Sequence, residues 1–233
     1  MRTRWWIGND VVDLAEPGAA GKERDRRFMD RVFTPSERAH ILDSAAPTIA
    51  LWKTWAAKEA AYKIAAKLRE GVVFAHRAFE VEPDRWPSRR ARVRFEHLDI
   101  RVRWVVARDY VHCIGHLASE RAACAACPPK AGGGAAEWWR LSAGILREGQ
   151  LVDGQLTTAE QASVHSTPSE RARLLARRLV ERWDVHGAEI VRLWRSWGWS
   201  PPVVARDGAP LTAFDVSLSH DGRFVAAAVL GPA

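Results

Sequence analysis

Cysteine is scarce in this chain: 3 residues among 233. An odd, low count offers no disulfide framework. Cys124 and Cys127 form a C-x-x-C in ACAACPP, yet no second Cys pair or His spacing completes a zinc site. Ala-rich sequence followed by Pro-Pro is also a poor redox motif, which wants a helix start. Reduced thiols in a linker are the expectation. Long apolar runs are missing too. None reaches the 18 or so residues that would span a bilayer, and MRTRWWIGNDVV meets charge before any signal-peptide core. A soluble, cytoplasmic protein with no membrane partner is therefore expected. What is present in quantity is apolar residues, 47%, with 12 Trp, enough for a sizeable core. The length fits one large domain or two ordinary halves. The net charge of +7 implies an acidic partner without saying which.

The stretch Leu51 to Lys63, LWKTWAAKEAAYK, reads as a helix of Ala, Leu, Lys and Glu with no internal Gly or Pro. Glu59 and Lys63 share a face, and Lys58 sits about 100° round from Glu59. Trp52, Trp55 and Tyr62 give a bulky apolar side; Ala56, Ala57, Ala60 and Ala61 leave room for close approach. Such a face suits an anionic substrate with a divalent metal. Taken alone it suits a solvated Glu–Lys pair better.

WWIGNDVVDL at the start reads as a strand with Asp10 inside it, where a lone carboxylate is costly unless paired or metal-bound. FDVSLSHDGRFVAAAVL at the end reads as two strands around Ser-His-Asp-Gly. Asp10 after I-G-x, then W-A-A-K-E-A-x-x-K, then S-x-S-H-D-G, resemble the motifs of the 4′-phosphopantetheinyl transferases. The three motifs lie near the start, middle and end, so the resemblance spans most of the chain. It implies an α+β fold of two similar lobes related by pseudo-twofold symmetry, each a small antiparallel sheet packed with helices.

In chain order, Thr34 before Pro35 with Glu37 three residues on predicts a capped helix. RFMDRVFTPSE is similar to the segment after the metal-binding Asp in the holo-acyl-carrier-protein synthase branch; Arg27, Arg31 and Arg38 could face an acidic carrier or simply water. The central helix runs to about Glu70. Four strands follow, from Phe79, Ala91, Ile100 and Val111, with Arg on alternate positions as on an outer sheet face. Residues 120–137, small and rich in Pro and Gly, are the expected linker between a lobe at 1–119 and a lobe at 138–233. EWWRLSAGILREGQLV is a short strand or helix, with a turn at Asp153-Gly154. TPSERARLLARRLVERW from Thr167 is a second capped helix. The two halves echo one another in a polar turn before an apolar strand. The Asp10 and Glu59 lobe comes first and the Ser219 lobe last, the reverse of the familiar two-lobed, surfactin-synthetase-type order, which implies a circular permutation or a reversed fusion.

The resemblance further implies the reaction: transfer of the 4′-phosphopantetheine arm of coenzyme A to a serine of an apo carrier protein, with release of 3′,5′-ADP. It implies Mg²⁺ on Asp10 and Glu59, with Asp13 a further candidate. Asp10 and Asp13 point to opposite faces of a regular strand, so a capping role for Asp13 is as open. Glu59 would take the serine proton, Lys63 would hold a phosphate, and Lys58 would point at phosphate or carrier. Ser219 and His220 would hold phosphate oxygens. Arg171 and Arg173 are candidates for the 3′-phosphate. Arg206 could replace a nucleotide-contacting Lys whose place Ala209 takes. A monomer is expected, because both lobes lie in one chain. The rivals are a catalytically weak relative that binds coenzyme A or a carrier, a basic nucleic-acid-binding module, and a metal phosphohydrolase. No nucleic-acid motif supports the second, and the third wants more ligands than the chain offers.

Overall fold

The computed structural model describes residues 4–83, 89–119, 139–150, 152–196 and 198–233. The expected linker at 120–137, with Cys124 and Cys127, lies outside the described residues.

The first half opens with β1 (Arg4–Asp13), followed by helices α1 (Arg26–Val32), α2 (Pro35–Leu42) and α3 (Pro47–Leu68). Asp25 caps α1 by accepting the Phe28 N–H. Thr34 and Glu37 form the predicted capping box of α2. Then come β2 (Glu80–Pro83), β3 (Arg90–Phe95), β4 (Leu98–Val106) and β5 (Tyr110–Ser119). With β1 these make a five-stranded antiparallel sheet in the order β1-β5-β4-β3-β2. Alternation decides the faces: Ala91, Val93, Ile100, Val102 and Trp104 point into a core against α3, while Arg92, Arg94, Arg101 and Arg103 stay exposed.

α3 lies unusually close to this sheet. Gly8 and Gly115 face each other across β1 and β5, and a Cβ on Gly8 would overlap the Ala60 carbonyl oxygen. Ala56, Ala57, Ala60 and Ala61 are fully buried at that contact. The small residues on both sides are what permit it.

The second half contains β6 (Trp139–Arg147), α4 (Thr158–Gln161), α5 (Thr167–Val180), β7 (Glu189–Val191), β8 (Trp194–Arg195), β9 (Gly198–Trp199), β10 (Val203–Arg206), β11 (Ala209–Pro210), β12 (Asp215–Asp221) and β13 (Phe224–Pro232). A three-stranded sheet β12-β13-β6 packs beneath α5, beside a small sheet β11-β10-β7. The ambiguous segment is a strand, β6, and its turn comes earlier than expected. A turn at Glu148-Gly149, with Gly149 at φ 84, follows the end of the β6–β13 ladder, where Arg147 meets Phe224.

A local arrangement occurs in both halves. Glu37 accepts the N–H of Thr34 (2.8 Å) and of Val81 (2.8 Å) and pairs with Lys58 of α3. Glu160 likewise accepts from Thr157 (3.0 Å) and Ile190 (2.8 Å) and pairs with Arg177 of α5. In each, a buried capping-box glutamate ties a short helix, a long helix and a strand together.

The halves join through β1 and β12. β1 is an edge strand, with one row of N–H groups unused by its own sheet. Ile7, Asn9, Val11 and Asp13 donate instead to the side chains of Asp215 (2.7 Å), Ser217 (2.9 Å), Ser219 (3.2 Å) and Asp221 (2.7 Å). Every second residue of β12 thus serves every second residue of β1, satisfying donors that could not be buried unpaired. Lys67 of α3 reinforces the join, bonding to the Ile7 carbonyl, the Asp215 carboxylate and the Val216 carbonyl.

Candidate functional site

A cleft of about 700 Å³ opens between β1, α3 and β12, lined by Asp10, Trp52, Trp55, Glu59, Lys63 and His220 among others. The sequence motifs from opposite halves of the chain meet here. Asp10 reaches it because β1 puts Gly8, Asp10 and Val12 on the face toward α3. Glu59 and Lys63 reach it because helical spacing puts both on one side of α3.

The charges are tightly arranged. Asp10 Oδ1 accepts from Lys63 Nζ (2.9 Å) and Ser219 Oγ (2.8 Å). Lys63 Nζ also donates to the Asn9 carbonyl (2.8 Å), leaving one ammonium proton unassigned. Half-buried Glu59 makes no hydrogen bond among the described residues. Burial, then repulsion from Asp10, pushes its carboxyl up to about 7, against the opposing pull of Lys63.

Two hard carboxylates with free oxygens, one destabilised by the charge of the other, form a donor set that a divalent cation would relieve. Among the described residues no group of three or more His, Cys, Asp or Glu could hold a metal ion. Mg²⁺ requires only one or two carboxylates when phosphate oxygens and water complete its octahedron. The residues present fit it on those terms.

Asp13 does not join them. It is fully buried and takes two bonds from the Arg223 guanidinium (2.6 and 2.7 Å) and one from the Arg223 N–H (3.0 Å). Hydrogen bonding to Arg223 holds its carboxyl down at about 2. Its oxygens are spent on that pair, so of the two roles left open for Asp13, ligand or cap, the geometry favours a structural anchor.

Lys58 is a second correction. Its side chain is fully buried on the far side of α3, bound to Glu37 (2.8 Å) and to the carbonyls of His76 (3.0 Å) and Phe79 (2.6 Å). The 100° step from Glu59 carries it into the core instead of along the cleft. Ser219 is a third. Its one hydroxyl proton goes to Asp10 and it accepts from Val11, so it has no donor left for a phosphate. His220 remains exposed in the cleft. Partial desolvation of its ring against the cleft wall, aided by Lys63, lowers its pKa and so favours the neutral imidazole, which would offer a neutral N–H.

Lys63 and His220 also border a neighbouring cavity of about 460 Å³ that contains Lys67, Arg173, Arg192 and Trp199. Arg173 is buried and, among the described residues, bonded only to neutral groups of Ser163 and Ser169, with its Nε unpartnered there. Arg192 stands near enough to lower the Arg173 pKa, after burial, and among the described residues is itself bound only to the carbonyls of Trp199 and Ser200. Two neighbouring guanidinium groups bound to neutral oxygens favour an anionic ligand. Arg192 went unnoticed in the sequence because VRLWRSW offers no motif; only the fold sets it beside Arg173.

The other arginines fall elsewhere. Arg171 bonds to the carbonyls of Arg147 and Gln150 at the exposed end of β6. Arg206 lies in the exposed β10–β11 hairpin, pairing loosely with Asp207. Neither lines the two cavities. A separate cavity of about 330 Å³, beside Ser36, His40, Lys53 and Trp104, holds neither the cleft carboxylates nor Lys63.

Comparison with known proteins adds three findings. Residues 7–130 match the family model described as the 4′-phosphopantetheinyl transferase superfamily. A segment of 57 residues is 39% identical to the holo-[acyl-carrier-protein] synthase of Protochlamydia amoebophila (strain UWE25), covering 24% of this chain and 47% of that protein. The match thus spans about half the length of that relative. The crystal structure of holo-[acyl-carrier-protein] synthase (AcpS) from Neisseria meningitidis superposes on 49% of this chain and 98% of that chain, with a TM-score of 0.41 and 20% identity.

Proposed function

The chain belongs to the 4′-phosphopantetheinyl transferase superfamily, and on that premise we propose that it transfers the 4′-phosphopantetheine arm of coenzyme A to a serine of an apo carrier protein, releasing 3′,5′-ADP. The observation that carries the reading is the convergence, in one cleft, of Asp10, Glu59 and Lys63 from the first half with His220 from the second. The adjoining cavity with Arg173 and Arg192 supplies positive charge for a nucleotide phosphate.

The serine oxygen attacks the β-phosphorus of coenzyme A; the bond from that phosphorus to the bridging oxygen breaks, and 3′,5′-ADP departs with the electron pair. Glu59, half-buried and unbonded, receives the serine proton. Asp10 and Glu59 would hold Mg²⁺, which when bound would neutralise the pyrophosphate charge. Lys63 uses its remaining proton on a phosphate oxygen, and His220 donates a neutral N–H from across the cleft. Arg173 and Arg192 grip the nucleotide end. The basic net charge suits a carrier with an acidic surface.

The test is intact-mass spectrometry of an apo carrier protein after incubation with this protein, coenzyme A and Mg²⁺. One added phosphopantetheine arm is expected, absent with EDTA and with Glu59→Ala. No gain across several carrier classes would overturn the reading. Retained coenzyme A binding in that case would point to a binding relative.

A further inference from the structure

Ser219 occupies the one rung of the β1–β12 ladder where the two halves of the chain touch the proposed chemistry. Its oxygen accepts the Val11 N–H at 3.2 Å and its proton goes to Asp10 Oδ1 at 2.8 Å. The same carboxylate oxygen takes Lys63 Nζ at 2.9 Å. Asp10 Oδ1 is therefore held from two directions, by an ammonium from its own half and a hydroxyl from the other. Oδ2 makes no hydrogen bond or ion pair among the described residues.

We infer that Ser219 is a positioning residue: it acts through Asp10, locking the carboxylate so that Oδ2 faces the cleft as a cation ligand. This rests on the function proposed above. The geometry favours positioning over simple adhesion because the rungs differ. Ser217 serves the Asn9 N–H in the same way at 2.9 Å, but no bond joins it to Asp10. Asp215 serves Ile7 and pairs with Lys67, and Asp221 serves Asp13. Only at Ser219 does the ladder side chain also bond to a cleft carboxylate. A carboxylate tethered through one oxygen loses rotamer freedom before the cation arrives, so less ordering remains to be done on binding. It also follows that Asp10 takes this pose only when β12 is docked on β1.

The experiment compares Ser219→Ala, Ser219→Thr and Ser217→Ala. The readouts are Mn²⁺ binding to the protein with coenzyme A and no carrier present, by electron paramagnetic resonance, thermal unfolding, and the KM and kcat of carrier modification. Removing a partner that orients a metal ligand weakens metal affinity by roughly 10–100-fold. Ser219→Ala should therefore raise the Mn²⁺ dissociation constant about 10-fold and lower kcat, with the KM for coenzyme A nearly unchanged. Ser219→Thr, which keeps the hydroxyl, should recover most of the affinity. Ser217→Ala, which loses one buried hydrogen bond where Ser219→Ala loses two, should also lower the melting temperature, though by less, yet leave Mn²⁺ affinity within about twofold.

Equal loss of Mn²⁺ affinity in both alanine variants would make the ladder merely structural and overturn the proposal. So would unchanged affinity in Ser219→Ala, or no recovery with threonine. If the wild-type protein bound no Mn²⁺ even with coenzyme A present, the assignment of Asp10 as a ligand would fall first and this inference with it. Failure at that earlier step is distinct from failure of Ser219 alone.

Discussion

Lys58 Nζ lies 2.8 Å from Glu37 Oε2, with both side chains sealed from solvent, while the next residue along α3, Glu59, opens onto the cleft. The K-E pair of the motif is therefore divided between two places, one in the buried core and one facing the cleft. Removing the ammonium would leave Glu37 buried without its countercharge. Lys58→Ala should destabilise the protein by about 3–5 kcal/mol, read from urea unfolding. The KM for coenzyme A of the folded protein should stay within about twofold. A stable Lys58→Ala protein that no longer bound coenzyme A would return this lysine to the cleft.

The glycine under α3 provides another test. Gly8→Ala would drive a methyl into the Ala60 carbonyl oxygen, which belongs to backbone and cannot swing aside. Overpacking of this kind costs about 1–3 kcal/mol or more. Because Asp10 and Glu59 lie on the two elements being forced apart, activity should fall further than stability. The check is kcat measured well below the melting temperature. A variant of normal activity would show that the spacing between α3 and β1 is not critical.

Arg192 and Arg206 make opposite expectations testable in parallel. Arg192→Gln should raise the KM for coenzyme A about 10-fold or more, the scale of a lost charged hydrogen bond. Its kcat should move little. Arg206→Gln, in an exposed hairpin away from both cavities, should leave both constants unchanged. Steady-state kinetics with varied coenzyme A separates the two, and a reversed pattern would relocate the nucleotide end.

His112 links stability to pH. It is buried, its Nε2 is 3.2 Å from Asn9 Oδ1, and burial presses its pKa down to about 3 from 6.5. The unfolded chain therefore takes up the proton first. The neutral ring costs nothing above pH 6.5, and stability falls progressively as pH drops from there toward 3, by about 1.4 kcal/mol per unit. Between pH 7.5 and 5 the wild-type protein should lose ~2 kcal/mol more than His112→Gln, measured by urea titration at each pH. Equal losses would mean that His112 is protonated in the folded protein.

Legibility in the sequence followed the range of each interaction. The caps at Thr34 and the start of α5, the alternating strands and the course of α3 depend on neighbours a few residues away, and the spacing predicted them. Helical spacing also put Glu59 and Lys63 on one side, though the lysine bonds to Asp10 instead of Glu59, and Asp10 stood out as a charge in an apolar strand. Lys58 was misread because adjacency in a helix says nothing of which flank is buried; that depends on Glu37 and the 76–79 turn. Asp13 was ambiguous because Arg223 lies 210 residues away. Ser219 was misread for a subtler reason. D-V-S-L-S-H-D carries its polar residues at a strict period of two, a pattern that signals a polar strand face with a partner. The attached histidine drew attention to phosphate instead. Arg173 and Arg192 could be joined only by the fold.

The ladder of β12 side chains has one more consequence. A ten-residue edge strand with an open row of N–H groups is a template on which another chain could add itself. Here the second half of the molecule occupies that row with serine and aspartate oxygens, which accept hydrogen bonds without presenting a new backbone edge there. The residues that bring the cleft together also act as a guard against self-assembly. Residues 1–119 produced alone should therefore tend to form fibres or oligomers through β1.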